Sequence, residues 1–261
     1  MEENSIKNQA IEDSNDPNYF RQVFDLREEL FQLNLYAHQK KEVDYSFLCL
    51  SVIDYWLEYL REYKQLTKEQ TYAGIFVLRG RRLLRSIQLV CIYGYLPEIE
   101  ILGRSLFELQ LITAYVFECS SNDRINRYIE SINKNAWDFK LLCEDLLGEG
   151  SYQYYKHLSE YTHNSSASTG SFVYQEHFQP SAIHDYRKAG DQLVLQSNVA
   201  VGLCELTQTV FPSNEEWKLR HEKIYETEIF IENYKNYQAM ILNNNENLKH
   251  LVQGLEKRES K

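Results

Sequence analysis

Arg104 and Glu108 stand four residues apart in the segment Arg104-Ser105-Leu106-Phe107-Glu108, a spacing that puts both side chains on one face of a helix. Ile101, Leu111 and Tyr115 fall on that same face. Charges set among apolar residues must pair or line a cleft, because an isolated buried charge costs several kcal/mol. Upstream lie Arg79, Arg81, Arg82 and Arg85, and of these Arg82 and Arg85 project together with Leu78 and Leu89. Several guanidinium groups near one glutamate leave positive charge that a carboxylate or phosphate ligand would complete. Downstream, His163 closes the segment Leu158-Ser159-Glu160-Tyr161-Thr162-His163. A partly exposed histidine at a helix end can act as general acid/base or phosphate ligand. The candidate set is therefore His163 as the catalytic group, with Arg82, Arg85, Arg104, Glu108 and Tyr161 binding the ligand. Each also has a plainer reading: a salt bridge fixing helix register, a solvated arginine face, a histidine capping a helix C-terminus.

Other chemistries lack their residues. Glu160-x-x-His163 is one half of a di-iron carboxylate site, which needs a second such pair and two further glutamates. The sequence holds no second Glu-x-x-His, and no metal or other cofactor is expected. His177, His184 and His221 read as isolated surface or core residues, and no G-x-S-x-G, Walker or Rossmann glycine pattern is present. The five cysteines are dispersed, odd in number and without a C-x-x-C pair, which reads as buried free thiols in a reducing compartment. A net charge of −10 argues against broad nucleic-acid or anionic-membrane binding. The polar, acidic residues 1–16 make no signal peptide, and the most apolar long stretch, Gln192 to Phe211, is interrupted by Asn198 and Glu205. A soluble, cytoplasmic protein is expected.

The elements that must position these residues are helices. Ten glycines and four prolines are too few for an all-β chain of 261 residues with many tight turns. Twenty tyrosines supply rings for half-buried helix seams. After a disordered lead over 1–16, Asp16-Pro17 opens a helix to about Lys41 whose apolar spacing uses Phe20, Phe24, Leu26, Leu30, Leu33 and Ala37. A second helix spans Val43 to Lys64 with Phe47, Leu50, Ile53, Leu57 and Leu60 on one stripe. Thr67-Lys68-Glu69-Gln70 fits a capping box for a third, reaching about Tyr93. Gly94 to Pro97 is a stop and restart. The helix from Pro97 to about Cys119 is apolar on nearly all sides and should be central. Further helices are expected from Asn122 to Leu147, Tyr152 to Tyr161, Ser181 to Val210, Asn214 onward, and about Glu228 to Leu255. A Ser-rich loop spans 164–171, and 257–261 form a frayed tail. The prediction is an all-α, single-domain bundle of about seven to nine helices over 17–256.

The Arg104–Glu108 segment, with the Gly94-Tyr95-Leu96 turn before it and the Leu-Ser-x-Tyr-x-His segment at 158–163 after it, resembles an uncharacterised bacterial family of all-helical proteins over about residues 75–210. The resemblance implies a helical fold, highlights Arg104, Glu108 and His163, and brings no established activity. A bundle with Arg and His in a polar seam is also similar, at fold level, to the HEPN ribonucleases, whose signature places His about five residues after Arg on one helix. No arginine here has such a histidine. Three functions follow as expectations. The first is a regulatory or binding module for an anionic small molecule or a protein partner. The second is a HEPN-like, metal-independent ribonuclease acting on RNA in a toxin or phage-defence setting. The third is a structural homo-oligomer built on Tyr-rich faces.

Overall fold

Proline at position 17 suits the first turn of a helix, where its missing N–H costs nothing, and α1 (Pro17–His38) begins there in the computed structural model. That structure describes residues 17–117, 123–132, 139, 143, 152, 156, 173–174, 177–178, 186–232 and 235. α2 (Lys40–Arg61) follows after a single non-helical residue, Gln39, at φ −127° and ψ 31°. Helical bonding persists on both sides of it, from Gln39 N to Leu35 O at 2.7 Å and from Val43 N to Gln39 O at 3.1 Å. The break is therefore local to Gln39.

The predicted capping box opens α3 (Lys68–Ile92): the Thr67 hydroxyl accepts from Gln70 N at 3.2 Å, and the Gln70 side chain accepts from Thr67 N at 3.0 Å. Gly94, at φ 82°, makes the turn into α4 (Leu96–Phe117). α5 (Asp123–Ile132) comes next, and the expected continuation to Leu147 lies outside the described residues except for helical backbone at 139 and 143. α6 (Tyr186–Thr207) ends in a 3₁₀ turn, Gln208–Val210. Asn214 caps α7 (Glu215–Tyr225), its side-chain oxygen accepting from Trp217 N at 2.9 Å. Residues 228–232 are helical and start the last expected helix. The sole strand pairing among the described residues is a two-residue antiparallel contact, Val173–Tyr174 with His177–Phe178, which leaves the all-α class intact.

α6 is the hub, packing against α1, α2, α3 and α4. Close approach makes this possible. At Gly80 of α3 an added Cβ would stand 2.1 Å from Leu203 Cδ1 of α6, so a larger residue there would have to displace the Leu203 side chain. α4 is buried on most of its circumference, through Ile99, Gly103, Leu106, Phe107, Leu109 and Leu111 among others. A single core runs from Phe31 and Leu35 on α1 to Trp217 and Ile224 on α7. One polar layer crosses it: the Gln88 amide donates to the Ser46 carbonyl and hydroxyl, both at 3.0 Å, and the Ser46 and Ser197 hydroxyls share a 2.7 Å bond.

Some predicted core positions face outward. Leu26, Leu30 and Leu33 are 56%, 50% and 67% exposed, because α1 docks through Phe31 and Leu35 instead. Phe47, Leu78, Leu89 and Ile101 are also exposed. These helices carry two apolar stripes, and spacing alone does not choose between them. No helix among the described residues is long and apolar enough to cross a membrane.

Candidate functional site

Helical spacing does for Arg104 and Glu108 what the sequence requires. Arg104 Nε donates to Glu108 Oε1 at 2.9 Å along α4, with the two side chains 21% and 24% exposed. Both residues have further interactions besides this one. One turn earlier on the same side, Glu100 is buried at 2% exposure, with Lys188 Nζ of α6 at 3.9 Å. α6 closes the seam beside them. The Gln196 carboxamide lies against Gly103, where a Cβ would sit 2.6 Å from its Nε2, and its buried Oε1 accepts no hydrogen bond. Next to Glu108, Phe107 and Leu111 form a small cluster with Cys143, against which Phe139 and Tyr152 pack.

The arginines of α3 are distributed differently. Arg81 is taken up by Asp54 of α2 in a two-point pair, Nε to Oδ1 at 2.7 Å and Nη2 to Oδ2 at 3.1 Å. Arg85 donates to Gln88 Oε1 at 3.2 Å and stands 5.7 Å from the Phe47 ring centre, so its described contacts run to the polar layer and to α2. Arg82 is exposed, as is Arg79. Among the predicted residues, then, the described contacts join Arg104 to Glu108 and carry Arg85 away toward α2. His163 and Tyr161 lie outside the described residues.

A second polar cluster went unmarked in the sequence. His221 of α7 approaches Glu205 of α6, Nε2 to Oε1, at 2.7 Å, and the Tyr225 hydroxyl donates to the same oxygen while lying 3.2 Å from His221 Nε2. Trp217 stacks on the imidazole at 4.6 Å between ring centres. Burial pushes the Glu205 pKa up, but the bonds from His221 and Tyr225 and the attraction of His221 outweigh it and hold the carboxyl below its ordinary value. Trp217, His221 and Tyr225 repeat at i, i+4 and i+8, which was the available signal; the carboxylate partner comes from another helix and leaves none.

Thiol chemistry has no place among the described residues. Cys49, Cys91, Cys143 and Cys204 are buried and in no disulfide, and burial pushes Cys49 and Cys91 up to about 12 and Cys204 well above its usual value. No group of three or more His, Cys, Asp or Glu residues there is arranged to hold a metal ion. No curated protein and no solved structure matches the chain. Residues 70–141, a span that runs through α3, α4 and α5, includes Arg104 and Glu108 and stops before His163, match a family of unknown function, DUF5677.

Proposed function

We propose that this protein is a binding or regulatory module that recognises a small anionic ligand through the Arg104–Glu108 face of α4. The state of the pair carries the reading. Arg104 Nε meets Glu108 Oε1 at 2.9 Å with both side chains about a fifth exposed, on the helix face that also carries the buried Glu100, and Gln196 of the adjoining α6 has a buried side-chain oxygen that accepts no hydrogen bond. An arginine paired with a carboxylate on its own helix can trade it for a planar carboxylate or phosphate that accepts two parallel bonds. Gln196 Oε1 would take an N–H or O–H of the same ligand. His163 and Tyr161, which lie outside the described residues, are assigned to the same ligand on their residue types alone. Exposed Arg82, with Arg85, is assigned the weaker task of raising positive potential along the approach.

Thermal melts with inorganic phosphate and with AMP test this. Ligand at about a hundred times its Kd stabilises by about 2.7 kcal/mol, which in a domain of this size raises Tm by roughly 5–10 °C. Arg104→Gln should abolish the shift and Glu108→Gln should leave or strengthen it. An equal shift in wild type and Arg104→Gln would sink the proposal. Cleavage of added RNA that is lost in His163→Ala would replace it with the ribonuclease function.

A further inference from the structure

α3 turns a mixed apolar and cationic face outward. Ile75, Leu78, Leu89 and Tyr93 are all exposed, and at about 100° per residue they fall within about 60° of one another around the helix. Arg79, Arg82 and Arg85 stand among them, the first two exposed and the third half-buried. Phe47 of α2, also exposed, adds a ring on one flank, where the Arg85 guanidinium lies 5.7 Å from its centre. On the other flank Tyr72 packs on Tyr128 of α5. From Ile75 to Tyr93 the face runs about 27 Å along the helix.

Its charge is one-sided. α3 holds Lys68 and four arginines against a single acid, Glu69 in the first turn, although the chain as a whole carries −10. Arg81 is taken by Asp54, but Arg79 and Arg82 enter no ion pair among the described residues. Exposed apolar residues gathered in one patch mark an interaction surface, and arginine and tyrosine are residues that such surfaces favour. Unpaired arginines beside aliphatic side chains fit an occupant that has both carboxylates and an apolar stripe. Nucleic acid or an anionic membrane would supply the charge, but the net −10 of the whole chain opposes both. Ile75, Leu78 and Leu89, moreover, offer no flat ring on which a base could stack.

We propose that the Ile75/Leu78/Arg82/Leu89/Tyr93 face of α3 is the docking surface for an acidic amphipathic helix of a partner protein. Leucine or isoleucine of the partner covers the apolar members, and glutamate or aspartate beside them pairs with Arg79, Arg82 and Arg85. A helix of about 18 residues matches the length of the face.

Panning a displayed library of random peptides of that length on the full-length protein tests the docking. Enriched sequences should combine glutamate or aspartate with leucine or isoleucine at three-four spacing. A labelled synthetic copy should bind at least about tenfold more weakly to Arg79→Glu with Arg82→Glu, and to Leu78→Ser with Leu89→Ser. Lysine in place of the peptide's acids should restore binding to the charge-reversed variant, which a loss of folding could not produce. The serine variant should also keep the phosphate-dependent melting shift, so this surface and the α4 site fail separately. Enrichment without acids, no enrichment, or equal binding by wild type and both variants would overturn the proposal. So would binding to phosphatidylserine vesicles that the charge-reversed variant loses, which gives the face to a lipid surface. Dimerisation of the free protein that the serine variant loses would give it to a second copy, and overturns the proposal too.

Discussion

At the scale of single residues, two carboxylates have different standing. Glu108 meets its arginine one turn away on the same helix, so its pairing was legible from the sequence. Glu205 pairs with His221 and Tyr225 across two helices, and nothing in its neighbours announces that. Its folded pKa is depressed, so the stability it contributes is complete above the unfolded carboxylate value and is lost as pH falls through the folded one. Urea midpoints of wild type and Glu205→Gln, compared between about pH 3 and pH 7, should differ at neutral pH and converge on acidification. A difference independent of pH would mean that packing, and not ionisation, is what Glu205 supplies. The predicted clustering of arginines was less legible. Arg81 and Arg85 sit close in sequence to Arg82 but are drawn to Asp54 and Phe47 of α2, partners that emerge only once α2 and α3 are packed.

At the scale of elements, helix ends were legible because their signals are local. Thr67 and Asn214 cap α3 and α7 with side-chain oxygens that accept from backbone N–H groups three residues on, and Gly94 ends a helix through its positive φ. Thr67→Ala should cost about 1 kcal/mol, read as a lower urea midpoint with unchanged slope. The Gln70 side chain also donates to the Val210 carbonyl at 3.0 Å, so part of the box secures the end of α6. Gly94→Ala should cost more. A φ of 82° imposes about 1–2 kcal/mol on an L-residue, and the added Cβ would meet the Phe31 ring at 3.0 to 3.2 Å. If that variant melts with wild type, the turn has shifted and α1 has moved with Phe31. Helix faces were harder to read than helix ends. α1 and α3 carry apolar residues on two sides, and only the neighbouring helices determine which stripe is covered.

At the scale of the whole molecule, the all-α class was plain from composition, but the hub was not. α4 stands out in the sequence because it is apolar nearly all round; α6 carries polar residues such as Gln196, Ser197 and Thr207, yet it packs against α1, α2, α3 and α4. Its centrality comes from close approach, with Leu203 lodged over Gly80, and from a hydroxyl that joins the Ser46–Gln88 layer. One core ties α1 through α7 to this helix, so those elements should unfold together. Trp56 and Trp217, in mutual contact between α2 and α7, report on a seam one layer away from α6. In a Trp137→Phe background, their fluorescence and the helical circular dichroism should therefore trace one transition in urea. Leu203→Ala empties a fully buried position at the hub and should lower both signals together by about 2–5 kcal/mol. If the tryptophan signal moved alone, or left first with the helical signal intact, α7 and its Glu205–His221–Tyr225 latch would be a separate cooperative unit resting on the bundle.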